Sequence, residues 1–312
     1  MEPMIELAGV TKLYRTVLGV NDISLQLHSG AFGLLGPNGS GKTTLINLIL
    51  GQIKPTLGTV RLFGKSPWKN DRLTRRIGLC PTVEIAYPNV SAKEWVTFLV
   101  QMHGFALPAA RQAACRALEL VKLDHAMDRP IGTYSLGMRQ RAKLAQAIAH
   151  NPDLLILDEP FNGLDPVGRF EMTEFLRNWV HEGKSLILAS HILHEVEAVH
   201  PAFLLISGGR LLASGTPQEV RQILADSPSE VVVHCNQAAR LASVLCERNL
   251  VQKLNILADQ QIRIVTPSAA KLFDQLPGIC QQHGIVVDQL TSENESLQSL
   301  FATLMRIHRG ES

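Results

Sequence analysis

Apolar Ile23, Leu25 and Leu27 alternate with polar Ser24, Gln26 and His28, the period of a strand with one buried face. Ala31 to Leu35 is a short apolar run entering a glycine-rich turn, and from Thr44 to Leu50 the apolar spacing becomes helical. The order is strand, loop, helix. Gly58 to Phe63 reads as another strand, and residues 91–150 are mostly helical in pattern, including the Ala- and Arg-rich run from Arg111 to Lys122. Two apolar runs follow, Leu154 to Leu157 and Ser185 to Ala189, each leading into a polar turn as buried parallel strands do. Gly208-Gly209, between Phe203–Ile206 and Arg210–Ala213, predicts a hairpin.

The pattern breaks at Ala225-Asp226-Ser227-Pro228-Ser229, a polar, proline-containing stretch suited to a linker. Beyond it, strand patterns at 230–234, 252–257, 261–265 and 285–290 surround helical patterns at 238–248 and 268–283. That β-α-β-β-α-β order is the split-βαβ, ferredoxin-like arrangement, with a last helix predicted from Ser296 to Ile307. Two domains are expected, residues 1–225 and a small α+β accessory domain at 229–312, either structural, for pairing or partner docking, or regulatory.

With 312 residues, 46% hydrophobic and 19% charged, the chain has the balance of a folded protein with a sizeable core. A net charge of +2 without a long basic run argues against nucleic acid as a partner. No uncharged apolar run reaches the ~18 residues of a bilayer span, so this chain is not expected to form a transport pathway itself. Met1-Glu2-Pro3-Met4 lacks the features of a secretory signal, and the five cysteines show no C-x-x-C spacing. A reducing, cytoplasmic setting is expected.

The chemistry begins at Gly36-Pro37-Asn38-Gly39-Ser40-Gly41-Lys42-Thr43, a full G-x-x-x-x-G-K-[ST] phosphate loop between a predicted strand and a predicted helix. Glycines let backbone N–H groups converge on phosphate oxygens, the helix start adds its positive dipole end, and Lys42 supplies a mobile charge. Thr43 offers its hydroxyl to magnesium. The second signal is Leu154-Leu155-Ile156-Leu157-Asp158-Glu159-Pro160, an apolar strand ending in two acids. Neighbours on a strand point to opposite sides, which predicts separate jobs. Asp158 would hold hydrated magnesium on the nucleotide side, and Glu159 would polarise the attacking water. Acids at a strand end are commonly just solvated, and it is the phosphate loop that favours the catalytic reading. His191, His194 and His200 invite a zinc reading, but H-x-x-H alone does not close a tetrahedral site.

Tyr134-Ser135-Leu136-Gly137-Met138-Arg139-Gln140-Arg141 precedes the acidic strand, and Ser190-His191 follows the next one. With these motifs in this order, residues 4–224 resemble an ATP-binding cassette (ABC) ATPase. The resemblance implies an α/β P-loop cassette with a mixed-sheet core, an antiparallel β subdomain and a helical subdomain. It makes Ser135, Leu136, Gly137 and Met138 the signature motif, Asn162-Gly163-Leu164-Asp165 the D-loop and His191 the switch histidine. Tyr14 matches the aromatic residue that stacks on adenine, although a tyrosine beside a strand is more often a core residue. Thr44 extends the phosphate-binding set.

In this family the signature of one cassette faces the ATP held by another, so the resemblance implies a homodimer or a pair with a sibling ATPase subunit. It further implies ATP hydrolysis with Mg2+, an integral membrane permease as partner, and a peripheral place on the cytoplasmic face of the inner membrane. The variant Tyr-Ser-x-Gly-Met-x-Gln-Arg is similar to bacterial exporters of drugs, antibiotics, sodium or copper. At Cys80-Pro81-Thr82 the family usually has glutamine or glutamate where Thr82 stands; a threonine would reach magnesium only through water, and Glu84 nearby is either a substitute or, the favoured reading, a solvent-facing loop acid. The alternatives are a soluble ABC ATPase uncoupled from a permease, or a weakly hydrolysing scaffold. The first would usually show two cassettes or a long coiled-coil insertion, and this sequence has neither.

Overall fold

A computed structural model describes residues 2–200, 202–216, 219, 229–258 and 260–292. Residues 225–228 of the predicted linker and the predicted helix at 296–307 lie outside them. The chain divides into two compact units, Met1–Thr216 and Pro217–Ser312.

The first unit opens with β1 (Ile5–Tyr14) and β2 (Val17–Leu27), which form an antiparallel three-stranded sheet with β4 (Leu57–Leu62) in the order β2-β1-β4. Its inward positions, among them Ile5, Leu7, Val20, Ile23 and Leu62, are buried, as the alternation in β2 predicts. The larger sheet runs β5 (Ile77–Cys80), β6 (Leu154–Asp158), β7 (Ser185–Ser190), β3 (Ala31–Leu35), β8 (Phe203–Ser207) and β9 (Arg210–Gly215). The first five strands are parallel and β9 pairs antiparallel to β8. Every residue of β6, β7 and β8 is buried, which is why their sequences read as continuous apolar runs rather than alternations.

Helices α1 (Lys42–Ile49), α2 (Asp71–Thr74), α3 (Ala92–Met102), α4 (Leu107–Leu120), α5 (Leu136–Ile148), α6 (Pro166–His181) and α7 (Leu193–Val199) complete this unit. Capping fixes several of their starts. Ser91 and Glu94 form a reciprocal capping box on α3, and Asp165 Oδ1 accepts from Gly168 N at 2.7 Å at the head of α6. The sequence reading passes over β1 and α6. Register shifts break the alternation of β1 at Leu7, Val10 and Lys12, and α6 buries only a narrow stripe, Gly168, Met172, Leu176 and Trp179.

What positions the site is the strand order. Within β5-β6-β7-β3, four adjacent parallel strands end on one edge of the sheet, and the segments leaving those ends carry Thr82, Glu159, His191 and the phosphate loop.

The second unit contains β10 (Ser229–Cys235), α8 (Ala238–Glu247), β11 (Lys253–Ala258), β12 (Gln261–Thr266), α9 (Ala269–His283) and β13 (Val287–Ser292). Its antiparallel sheet runs β11-β12-β10-β13, the ferredoxin-like order. Val231, Val233, Leu241, Leu245, Ile262, Ile264, Leu272 and Ile279 form a core of its own.

Candidate functional site

The phosphate loop links β3 to α1, and its glycines are needed for their shape. Gly41, at the N-cap of α1, has φ 108°, and a Cβ there would lie 2.5 Å from the carbonyl oxygen of Gly19. Lys42 begins the helix with its side chain folded back. Nζ donates to the carbonyl oxygens of Gly36 at 2.7 Å and Pro37 at 3.3 Å, with Glu159 Oε1 at 3.9 Å. Burial holds the Lys42 ammonium below its ordinary pKa, while the charges of Glu159 and Asp158 pull it back up. The ammonium is thus kept at the loop, with Glu159 as a loose ionic partner.

Thr43 Oγ1 donates to Asp158 Oδ2 at 3.3 Å, joining the helix start to the end of β6. The expectation that Asp158 and Glu159 face opposite ways is not met. Glu159 leaves the extended strand conformation with φ 54°, and both acids line the same cavity. Its N–H donates to the carbonyl of Ala189 at 2.9 Å, which anchors the turn on β7. His191 Nδ1 lies 2.9 Å from each carboxylate oxygen of Glu159, the ring nitrogen donating and the carboxylate accepting. His191 therefore meets the site through Glu159, and it is not among the residues lining the cavity.

That cavity is walled by Tyr14, the stretch from Asn38 to Thr44, Thr82, Asp158 and Glu159, together with Val17, Leu18 and Gly19. Tyr14 is partly exposed, with Lys12 Nζ 5.3 Å from its ring centroid, and is not a core residue. Gly36 and Pro37 act from behind, as the acceptors of Lys42. Thr82 Oγ1 donates to the backbone carbonyl of Asp158 at 3.3 Å, whereas Glu84 pairs with Arg139 at 3.3 Å on α5 and lines no part of the cavity. Val17, Leu18 and Gly19 are absent from the sequence reading; a glycine inside a strand pattern was the available signal of a close approach.

The donor set suits a divalent cation. Thr43 and Asp158 bring a hydroxyl and a carboxylate together, and Ser40 Oγ, buried in the same loop, has no hydrogen-bond partner among the described residues.

Ser135, Leu136, Gly137 and Met138 lie elsewhere. Ser135 caps α5, its Oγ accepting from Met138 N at 3.2 Å, and the four residues share a depression with Gly163, Leu164 and Asp165. No residue lines both this depression and the phosphate-loop cavity. The two depressions are separate features of the first unit.

The family model described as ABC transporter matches residues 20–162. Over 304 residues the chain is 31% identical to the ABC transporter ATP-binding protein YxlF of Bacillus subtilis, covering 96% of this chain and 98% of that protein. The chain belongs to the ABC transporter ATP-binding proteins. It is the ATP-binding and ATP-hydrolysing subunit of such a transporter. Another relative of this ABC ATPase, the bacitracin transport ATP-binding protein BcrA of Bacillus licheniformis, is 32% identical over 309 residues, 98% of both chains. The Nod factor export ATP-binding protein I of Burkholderia orbicola is 36% identical over 68% of this chain and 71% of its own. Among solved structures, the ATP-binding subunit of an ABC transporter matches with TM-score 0.65 at 24% identity, covering 71% of this chain and 93% of that one. The dimeric bacterial cassette MJ0796 matches with TM-score 0.63 at 25% identity, over 68% and 98%.

Proposed function

We propose that two cassettes pair head to tail, each closing its signature depression over the ATP in the other's phosphate-loop cavity, and that hydrolysis releases the pair to drive export by a separate membrane permease. The observation that carries this reading is the split site: phosphate loop, Asp158 and Glu159 on one cavity, signature and D-loop on another. Two-fold pairing completes both halves at once.

In each site, backbone N–H groups of residues 38–43 cradle the phosphates, and Lys42 exchanges its carbonyl acceptors for phosphate oxygens. Tyr14 packs on the adenine. Thr43 and Asp158 would hold Mg2+, which when bound neutralises charge on the terminal phosphates. Glu159 draws a proton from the attacking water, and His191 holds its carboxylate in place until the terminal phosphate offers the imidazole N–H a competing acceptor. Ser135 and the start of α5 face the partner's terminal phosphate, with Asp165 beside them. Loss of that phosphate removes the contacts that bridge the interface.

Export is supported by the bacitracin and Nod factor relatives. Among the described residues no helix is long and apolar enough to cross a membrane, in keeping with a separate permease and a peripheral place on the cytoplasmic face of the inner membrane. The second unit, residues 229–312 in this reading, reinforces pairing.

Replacing Glu159 by Gln tests the assignment. Turnover should fall by about 100 to 10,000-fold while ATP still binds, because the water-polarising group is lost and the cradle is kept. Near-normal phosphate release from purified E159Q would overturn it.

A further inference from the structure

Lys143 lies mid-way along α5 and is only 2% exposed. Lysine is rarely buried so completely without a charged partner, yet among the described residues no carboxylate lies within 4.0 Å of it. Its Nζ donates instead to the backbone carbonyl of Thr82, at 3.3 Å. One turn earlier Gln140, equally buried, turns its amide toward Cys80 Sγ at 4.0 Å. Two polar side chains at i and i+3 thus press on residues 80–82 from a helix whose neighbouring buried positions, Ala142, Leu144 and Ala145, are apolar. Packing alone would be served better by an apolar residue at 143, since burying an ammonium against one neutral acceptor is costly.

The bond has a continuation. Thr82 Oγ1 donates to the carbonyl of Asp158, and Asp158 Oδ2 accepts from Thr43 in the phosphate loop. From Lys143, α5 runs back two turns to Ser135 at the signature, as one rigid rod. We propose that Lys143 is a positioning residue for hydrolysis, tying the signature helix through Thr82 and Asp158 to this chain's own phosphate loop. Each cassette's own nucleotide thereby sets the position of the signature it presents to its partner's ATP. This rests on the head-to-tail reading above.

The test is steady-state ATP hydrolysis at excess Mg2+, with ATP affinity measured separately in the E159Q background. Lys143→Met keeps the stem and removes the ammonium. Its kcat should fall about 10-fold with ATP affinity changed less than about 2-fold, and the Hill coefficient for ATP should drop from above 1 to about 1. Thr82→Ala, which cuts the next bond in the series, should do the same. The double variant should be no slower than the slower single, because both cuts interrupt one path. Unchanged kcat and Hill coefficient in K143M, a Hill coefficient of 1 already in the unaltered protein, multiplicative losses in the double variant, or parallel loss of kcat and ATP affinity would each overturn the proposal. If K143M does not fold, T82A decides alone, and normal kcat and cooperativity there overturn it. Failure of the underlying reading looks different: E159Q would stay monomeric in sedimentation at saturating ATP.

Discussion

Lys42 illustrates how a single charge is kept ready. Its ammonium rests on two carbonyls of its own loop, with Glu159 Oε1 farther off at 3.9 Å, so arriving phosphate oxygens replace neutral acceptors and compete with only a loose ion pair. Lys42→Ala is therefore expected to weaken ATP binding itself by about 10 to 100-fold, the worth of a charge-assisted hydrogen bond or two, in a titration with purified protein. An unchanged Kd would count against the cradle. Residues of this loop were legible in the sequence because all their chemistry sits within eight consecutive positions. Lys143 was not, since its acceptor is 61 residues away and nothing near it in the chain marks a lysine as buried. Glu159 was misread in direction for a different reason. Alternation holds only while the backbone stays extended, and one left-handed residue turns its side chain onto the side of Asp158.

Between elements, the end of α3 meets the end of α5 through His103 and His150, whose rings stack with centroids 3.8 Å apart and planes 11° from parallel. His150 Nε2 donates to the carbonyl of Ile77, while its Nδ1 is buried without a hydrogen-bond partner among the described residues. Burial, and then the neighbouring His103, push the His150 pKa down from 6.5 to about 4; burial and then Arg75 lower His103 as well. The folded form thus resists a proton that the unfolded chain accepts. The stability contribution is fully present above pH 6.5 and is lost as pH falls toward 4, by about 3 kcal/mol over that window for His150. Urea unfolding at pH 7, 6 and 5 should show this fall, and His150→Phe should flatten it; an equally steep slope in the variant would refute the assignment. No periodic pattern announces such a pair. The buried parallel strands, by contrast, were plain from their apolar runs, and the ferredoxin-like order from the spacing of its strands and helices. Strand β1 and helix α6 escaped because bulges and a narrow apolar stripe blur the two periods on which such readings depend.

At the scale of the molecule, the two units have separate cores. The phosphate-loop cavity takes its walls from the first unit alone. A chain ending at Thr216 should therefore bind ATP within about 2-fold of the full protein, yet self-associate about 10-fold more weakly, because a second contact raises avidity without touching the first. Sedimentation of both forms checks this, and equal association would remove the pairing role of the second unit. A last consequence concerns the seam between signature and D-loop. A Cβ on Gly163, where φ is +75°, would come within 2.0 Å of Leu136 Cδ2, so a larger residue there is strained and must push that exposed leucine aside. The two loops therefore share one small space: any bulk added at 163 is felt at 136, the residue that follows the cap of α5.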